Sequence, residues 1–403
     1  MTDLLLTGIG HLTTNAGEPL KDAVVAVEAG RISYVGGEAD SPFQDDSRRL
    51  DCGGRAVIPG FVDAHTHLVF AGDRSDEFAR RAAGESYADI AAAGGGILST
   101  VAATRAASDE ALFELAAERA RRMLAAGTTT LEVKSGYGLD VETERRLLAV
   151  ARRLGEELPI TVKTTFLGAH SVPHEFAKDR RGYIELVIDE MLPAVAALAD
   201  YCDVFVEQGV FDREEGRPIL EAAQRHGLQA RVHACQLSPG EGAALAAELG
   251  AASADHLDHA TAEDAEALAG AGVAAVLLPG ASYTLGGRHA PARMIWDAGC
   301  TVALATDCNP GTSYLEAMGL VISLAVVKMG LTVEEAIWAA TRGGAISLGL
   351  EDHGLVQPGM VADLVVLEAP NPIHIPYRPA TNLAWRVVAG GVLKEPSHYL
   401  RRS

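Results

Sequence analysis

Pro59-Gly60-Phe61-Val62-Asp63-Ala64-His65-Thr66-His67 is a short apolar run, rich in strand formers, opened by a Pro-Gly turn and closed by two imidazoles. It reads as a buried strand. Residues two apart on a strand point to the same side, so His65 and His67 face one point in space. Two neutral imidazoles converging there are half of a first-row metal site. Histidines at this spacing also occur as ordinary surface or core residues, so the rest of the chain has to decide between the two readings.

Outward from this stretch, the segment from Gly127 to Asp307 repeats one physical unit: a short apolar strand, a turn, an amphipathic helix. The strand candidates are Thr128–Val133, Ile160–Leu167, Cys202–Glu207, Gln229–His233, Ala252–His256, Val273–Leu278 and Val302–Thr306, and Phe61–His65 makes eight. Helical patterns lie between them. Ser108–Ala125 has Ser108 as N-cap, Asp109 and Glu110 in its first turn and Gly127 just past its end. Glu142–Leu154, Arg217–His226 and Pro239–Leu249 follow. Eight strands, apolar on both faces and alternating with helices, predict an α/β fold, a closed parallel (β/α)8 TIM-like barrel.

The two ends have a different texture. Residues 1–58 carry short alternating runs (Ala23–Glu28, Arg31–Val35), and residues 355–403 carry others, such as Ala362-Asp363-Leu364-Val365-Val366-Leu367. They are expected to pair into one small discontinuous β-sandwich domain flanking a barrel of residues 59–354. Ala91–Gly96, ending in three glycines, is either a mobile lid or a plain flexible connection.

Composition narrows the function classes. The 403 residues are 48% hydrophobic and 22% charged, a globular balance, and no apolar run reaches the length of about 18 residues that a membrane helix needs. The start of the chain has neither a basic region nor a secretory apolar stretch. Five scattered cysteines with no Cys-x-x-Cys pair argue against a disulfide framework, so a cytoplasmic location is expected. A formal charge of −20 disfavours nucleic acid and anionic membrane as partners. It also means that an anionic substrate would need a local cation in its pocket.

In a parallel barrel the reactive residues sit where strands end. The first strand ends in His65 and His67, the second runs into Lys134-Ser135-Gly136-Tyr137-Gly138, and the third ends in Gly168-Ala169-His170. The fifth ends in His233, the sixth in Asp255-His256 and the eighth in Asp307. Any one of these histidines alone is more often structural than a ligand; five with an aspartate at one mouth point to a metal site. Three imidazoles and a carboxylate leave a Zn²⁺ or Fe²⁺ ion one position open for water, whose pKa falls to about 7. Asp307 can accept that water's proton and pass it on.

The Pro59–His67 stretch, His233, Asp255-His256 and Thr306-Asp307 together resemble the amidohydrolase superfamily. Within it the chain is similar to the imidazolonepropionases, the ring-opening enzymes of histidine degradation. His65-Thr66-His67-Leu68-Val69-Phe70-Ala71-Gly72-Asp73-Arg74, Glu132-Val133-Lys134-Ser135-Gly136-Tyr137-Gly138-Leu139 and Thr165-Phe166-Leu167-Gly168-Ala169-His170 carry the likeness, with Asn309-Pro310-Gly311-Thr312. It spans nearly the whole chain. The resemblance implies one divalent metal, zinc or iron, held by His65, His67, His233 and Asp307. It implies substrate contacts from Arg74, Tyr137, His170, Gln236, Asn309, Gly311 and Thr312, with His256 orienting the water or stabilising an oxyanion. Arg74 would be the local cation for a small anionic substrate. Hydrolysis of the cyclic amide of 4-imidazolone-5-propanoate by metal-activated water is the implied reaction, and a homodimer the implied assembly.

Two positions qualify this picture. Deaminases of the superfamily place an acid three residues after the fifth-strand histidine; here Gln236 stands there and cannot transfer a proton. Cys235 stands where an acidic residue is expected, and packing is preferred to a second ligand on the ground that it flanks the strand ligand and points away. No lysine follows the fourth strand, so a single metal is expected, and nearby Glu207 is read as structural. Another amidohydrolase reaction on a heterocycle, or a metal-binding relative without catalysis, are the alternatives.

Overall fold

Eight parallel strands pair in chain order in the computed structural model: β1 (Phe61–Asp63), β2 (Thr128–Lys134), β3 (Thr161–Ala169), β4 (Tyr201–Val206), β5 (Gln229–Ala234), β6 (Ser253–His256), β7 (Ala274–Leu277) and β8 (Val302–Leu304). The structure describes residues 3–43, 48–85 and 95–394. Of the glycine-ended segment Ala91–Gly96, residues 91–94 lie outside the described residues.

The first and last strands close the ring just beyond their ends. Thr66 bridges Cys308, the His67 N–H donates to the Cys308 carbonyl at 3.0 Å, and the Asp307 N–H donates to the His65 carbonyl at 3.1 Å. The Asp63 carboxylate clamps the same seam, accepting from the Thr306 N–H at 2.9 Å and its hydroxyl at 2.6 Å. Closure therefore brings the first and last motifs of the sequence side by side.

Local sequence explains the helices around the ring. Ser108 caps Asp109–Ala125 by accepting from the Ala111 N–H. The helix expected at Arg217 starts at Arg213, because Asp212 and Glu215 form a reciprocal capping box and Pro218 is accommodated inside. Buried faces of these helices meet the outer faces of the strands in one continuous apolar core.

Barrel interiors are ordinarily filled by branched apolar side chains. Here the inner layer carries Glu132, Lys134, Asp203, Arg231 and Asp255, all fully buried. Charges out of water require partners, and these partners lie directly under the mouth.

The terminal segments form two sheets. One is wholly N-terminal, in the order Arg31–Gly37, Ala23–Glu28, Leu4–Ile9, Arg49–Asp51. The other interleaves the two ends: Ala56–Pro59 pairs antiparallel with Leu364–Leu367, matching Pro59 to Leu364. Leu4, Val25, Val57, Leu364 and Val388 pack in one shared core between the sheets. Only Gly60 separates Ala56–Pro59 from β1, so this small β-unit leads directly into the barrel.

Candidate active site

His65 and His67 follow β1, His170 follows β3, His233 lies in β5, His256 ends β6 and Asp307 follows β8. The structure brings all six to one mouth. Ring centroids are 4.5 Å apart for His65 and His233, 5.2 Å for His65 and His67, and 5.2 Å for His233 and His256. His170 stacks on His67 at 5.0 Å, and Tyr137 lies 5.5 Å from His170.

Strand ends alone do not produce this convergence. Backbone φ is +54° at Asp307 and +74° at His256, in the left-handed region that costs a side-chain-bearing residue strain. These turns come at the last residue of β6 and just past the end of β8. Cys235 corrects the reason given for its packing. Two positions past His233, it would share the ligand's face on a continuing strand; but β5 stops at Ala234, and φ of +53° turns the thiol to the Gly240 carbonyl, 3.4 Å away.

Donor atoms of His65, His67 and His233 lie within 4.8 Å of one another. His65 Nε2 is 3.3 Å from His67 Nε2, and Asp307 Oδ1 is 3.6 and 3.5 Å from these two nitrogens. Ligand atoms about 2.0–2.1 Å from a tetrahedral ion are separated by about 3.3–3.4 Å, so the spacing fits. His67 Nδ1 and both ring nitrogens of His233 are buried without a hydrogen-bond partner among the described residues. Burial pushes His65 and His67 well below the usual histidine pKa, which keeps them in the neutral, ligating form. It pushes the Asp307 carboxyl well up, with Asn309 and Lys134 pulling the other way. Four carboxylates, Glu132, Asp203, Asp255 and Asp307, face the histidines or Lys134, against the two cations Lys134 and Arg231. The excess of negative charge matches one divalent cation.

Tyr137, His170, Asn309 and Gly311 are each held by hydrogen bonds or ring contacts. The Tyr137 loop is held by the buried Glu144 carboxylate, which accepts from the N–H groups of Gly136, Gly138 and Leu139 at 2.7–3.0 Å. His170 Nδ1–H donates to the Gly136 carbonyl at 3.0 Å, leaving its Nε2 as an acceptor. Burial lowers its pKa to about 3, so the ring is neutral. Asn309 Oδ1 accepts from the N–H groups of Gly311 and Thr312, both at 2.8 Å. A product group bound at the Gly311 N–H would thus share it with Asn309.

Arg74 pairs with Glu77 at 2.8 Å, and its guanidinium lies so close over Gly311 that a Cβ there would stand 2.2 Å from Nη1. Arg74, Arg81, Gly311 and Thr312 line a cleft of about 420 Å³, with Arg81 Nη2 donating to the Gly311 carbonyl at 3.0 Å. Gln236 is half-buried in the loop after β5. Glu207, read as structural, accepts from the Leu237 N–H at 2.8 Å and from the Ser238 hydroxyl, bracing that loop.

Sequence reasoning missed the residues beneath the rings. Asp255 Oδ2 is 2.7 Å from His65 Nδ1, Asp203 Oδ2 is 2.9 Å from His233 Nδ1, and Lys134 joins them. A usable signal was present: a charged residue inside an otherwise apolar strand must have a buried partner.

A closed (β/α)8 barrel with a histidine-rich, metal-fitting mouth and a small β-unit made by both termini defines the class, a hydrolase-type barrel. A profile described as "Amidohydrolase family" matches residues 71–393. The imidazolonepropionase of Salinispora arenicola is 50% identical over 97% of this chain and 99% of its own length. That of Mycolicibacterium smegmatis is 49% identical over 97% of both chains. An adenosine deaminase structure from Xanthomonas campestris with bound zinc shares the fold, with a TM-score of 0.73 at 19% identity over 98% of this chain and 93% of that one. The chain belongs to the amidohydrolase family and, within it, to the imidazolonepropionases.

Proposed function

We propose that the chain hydrolyses the ring amide of 4-imidazolone-5-propanoate to N-formimidoyl-L-glutamate, with His65, His67, His233 and Asp307 holding one divalent metal. The observation that carries this is the convergence of the His65, His67 and His233 donors. The Arg74 guanidinium, in a cleft with Gly311 and Thr312 of the loop that follows Asp307, supports an anionic substrate. Three imidazoles and a carboxylate suit zinc and iron alike. When bound, such an ion supplies an activated water and polarises a carbonyl.

Each protein group then has a definable task. Arg74 meets the propionate of the substrate, its planar fork matching a carboxylate even while it keeps Glu77. Tyr137 and the free acceptor of His170 orient the imidazolone ring, and Gln236 offers hydrogen bonds without acid chemistry. Asp307 takes a proton from the attacking water as the carbonyl carbon gains oxygen. His256, a neutral imidazole whose Nδ1 is buried without a partner among the described residues, stabilises the developing oxyanion. Asp307 returns the proton to the ring nitrogen as the carbon–nitrogen bond breaks. The product carries a new carboxylate, and Asn309, Gly311 and Thr312 receive it.

Incubating the purified protein with imidazolonepropionate, following its ultraviolet absorbance, and assaying metal on the same sample tests the reading. No decay with a full metal complement would sink it. We take the enzyme to act as a cytoplasmic homodimer on a small anionic substrate, without nucleic acid or membrane. The charge of −20 supports the last point, and sedimentation would check the assembly. Among the described residues no helix is long and apolar enough to cross a membrane.

A further inference from the structure

Lys134 ends β2, is fully buried, and has no place in the chemistry above. Its ammonium nitrogen lies 2.8 Å from Asp203 Oδ2, 2.9 Å from Glu132 Oε1 and 3.5 Å from Asp255 Oδ2. An ammonium has three N–H donors, and three carboxylates from three different strands surround this one.

Each carboxylate continues to a different part of the candidate ligand set. Asp203 reaches His233 twice, with Oδ2 at 2.9 Å from Nδ1 and Oδ1 accepting the backbone N–H at 3.1 Å. Asp255 Oδ2 lies 2.7 Å from His65 Nδ1. Glu132 Oε2 accepts the N–H of Thr66, the residue between His65 and His67, at 3.2 Å. The oxygens of Asp203 and Asp255 that face the two rings are the same oxygens that face Lys134.

A carboxylate accepts, so His65 donates from Nδ1 and keeps the lone pair on Nε2, while His233 has its Nδ1 2.9 Å from Asp203 Oδ2 and its backbone N–H bonded to Oδ1. Ligating histidines generally depend on such outer partners for tautomer and ring orientation. We propose that Lys134 is a positioning residue for the metal site. Through Asp255, Asp203 and Glu132, one ammonium sets the tautomer of His65, the placement of His233 and the backbone between His65 and His67. A planar guanidinium fork cannot direct donors at three carboxylates grouped around a point. Arg231 is ion-paired with Asp255, at 3.4 Å. The inference rests on the metal-site reading above.

The test uses the full-length protein stripped of metal and titrated with Co²⁺ against a chromophoric chelator, with the Co²⁺ d–d spectrum and thermal unfolding read on the same samples. Lys134→Met should bind Co²⁺ about 10- to 100-fold more weakly, with an altered spectrum, and Lys134→Arg should not rescue it. Wild-type affinity and spectrum in Lys134→Met, even with reduced thermal stability, would overturn the proposal and leave Lys134 a purely structural cation. Should that variant not fold, Asp203→Asn preserves volume and removes the link between Lys134 and His233; unchanged affinity and spectrum there overturn the proposal equally. A wild-type protein that takes up no Co²⁺ would bring down the metal-site reading itself, and this inference with it.

Discussion

Arg74 and Gly311 are packed so closely that a Cβ at residue 311 would stand 2.2 Å from Nη1, so a side chain there requires the guanidinium to shift. The loop after β8 thus leaves space over Gly311 for the cation assigned to the substrate tail. Gly311→Ala should displace Arg74 and raise KM for imidazolonepropionate by about tenfold, with a smaller change in kcat, since a misplaced carboxylate clamp weakens binding. Steady-state kinetics decide it, and an unchanged KM would mean that the guanidinium moves aside freely.

Arg74→Gln should cost far more with the propionate substrate than with a ring analogue whose tail is neutral. Equal losses would point to a neutral substrate and to another amidohydrolase reaction, the main competing reading. The comparison needs only the ratio of kcat/KM for the two compounds in each protein.

Asp307→Asn should lower kcat by about 10²- to 10⁴-fold, the usual range for a lost general base. Metal content must be measured in parallel, because Asp307 stands 3.5–3.6 Å from two ring nitrogens and is also assigned as a ligand. Turnover within a few-fold of wild type at full occupancy would remove Asp307 from the base role.

Glu144→Gln should destabilise the fold by about 1–3 kcal/mol. It turns part of a buried acceptor of three backbone N–H groups into a donor facing donors. Because those N–H groups shape the Tyr137 loop, KM should rise as well. Urea denaturation and kinetics on one preparation separate the two effects.

Asp258 offers a pH test. Burial pushes its carboxyl up to about 7, against 3.8 for an ordinary aspartate. Between these values the unfolded chain has lost the proton and the folded chain keeps it, so this group's contribution to stability falls as pH rises from about 4 to about 7. Asp258→Asn should flatten that part of the stability curve relative to wild type, with the Ser282 hydroxyl, 2.9 Å from Asp258 Oδ2, still able to bond. Parallel curves for the two proteins would show that Asp258 ionises normally.

Much of this architecture was legible in the chain. The eight barrel strands are short apolar runs separated by helices with readable caps, as at Ser108, and periodicity of that kind is a local property. The mouth residues could be named for a related reason, since polar residues that end buried strands in a parallel barrel share one face. The two ends were expected to pair into one β-sandwich, but which strands interleave, with Pro59 beside Leu364, was not readable. Strand pairing across such a separation leaves no mark in either segment alone.

By itself the sequence determined which residues reach the mouth, because hydrophobic period and strand ends are written locally. Tertiary structure alone decided how they meet. The positive φ at Asp307 and His256 occurs just after β8 and at the last residue of β6, and no local pattern in the sequence announces it. The union of Lys134 with Asp203 and Asp255 joins strands far apart in the chain, and only the closed barrel, which removes water from all three, makes their charges depend on one another.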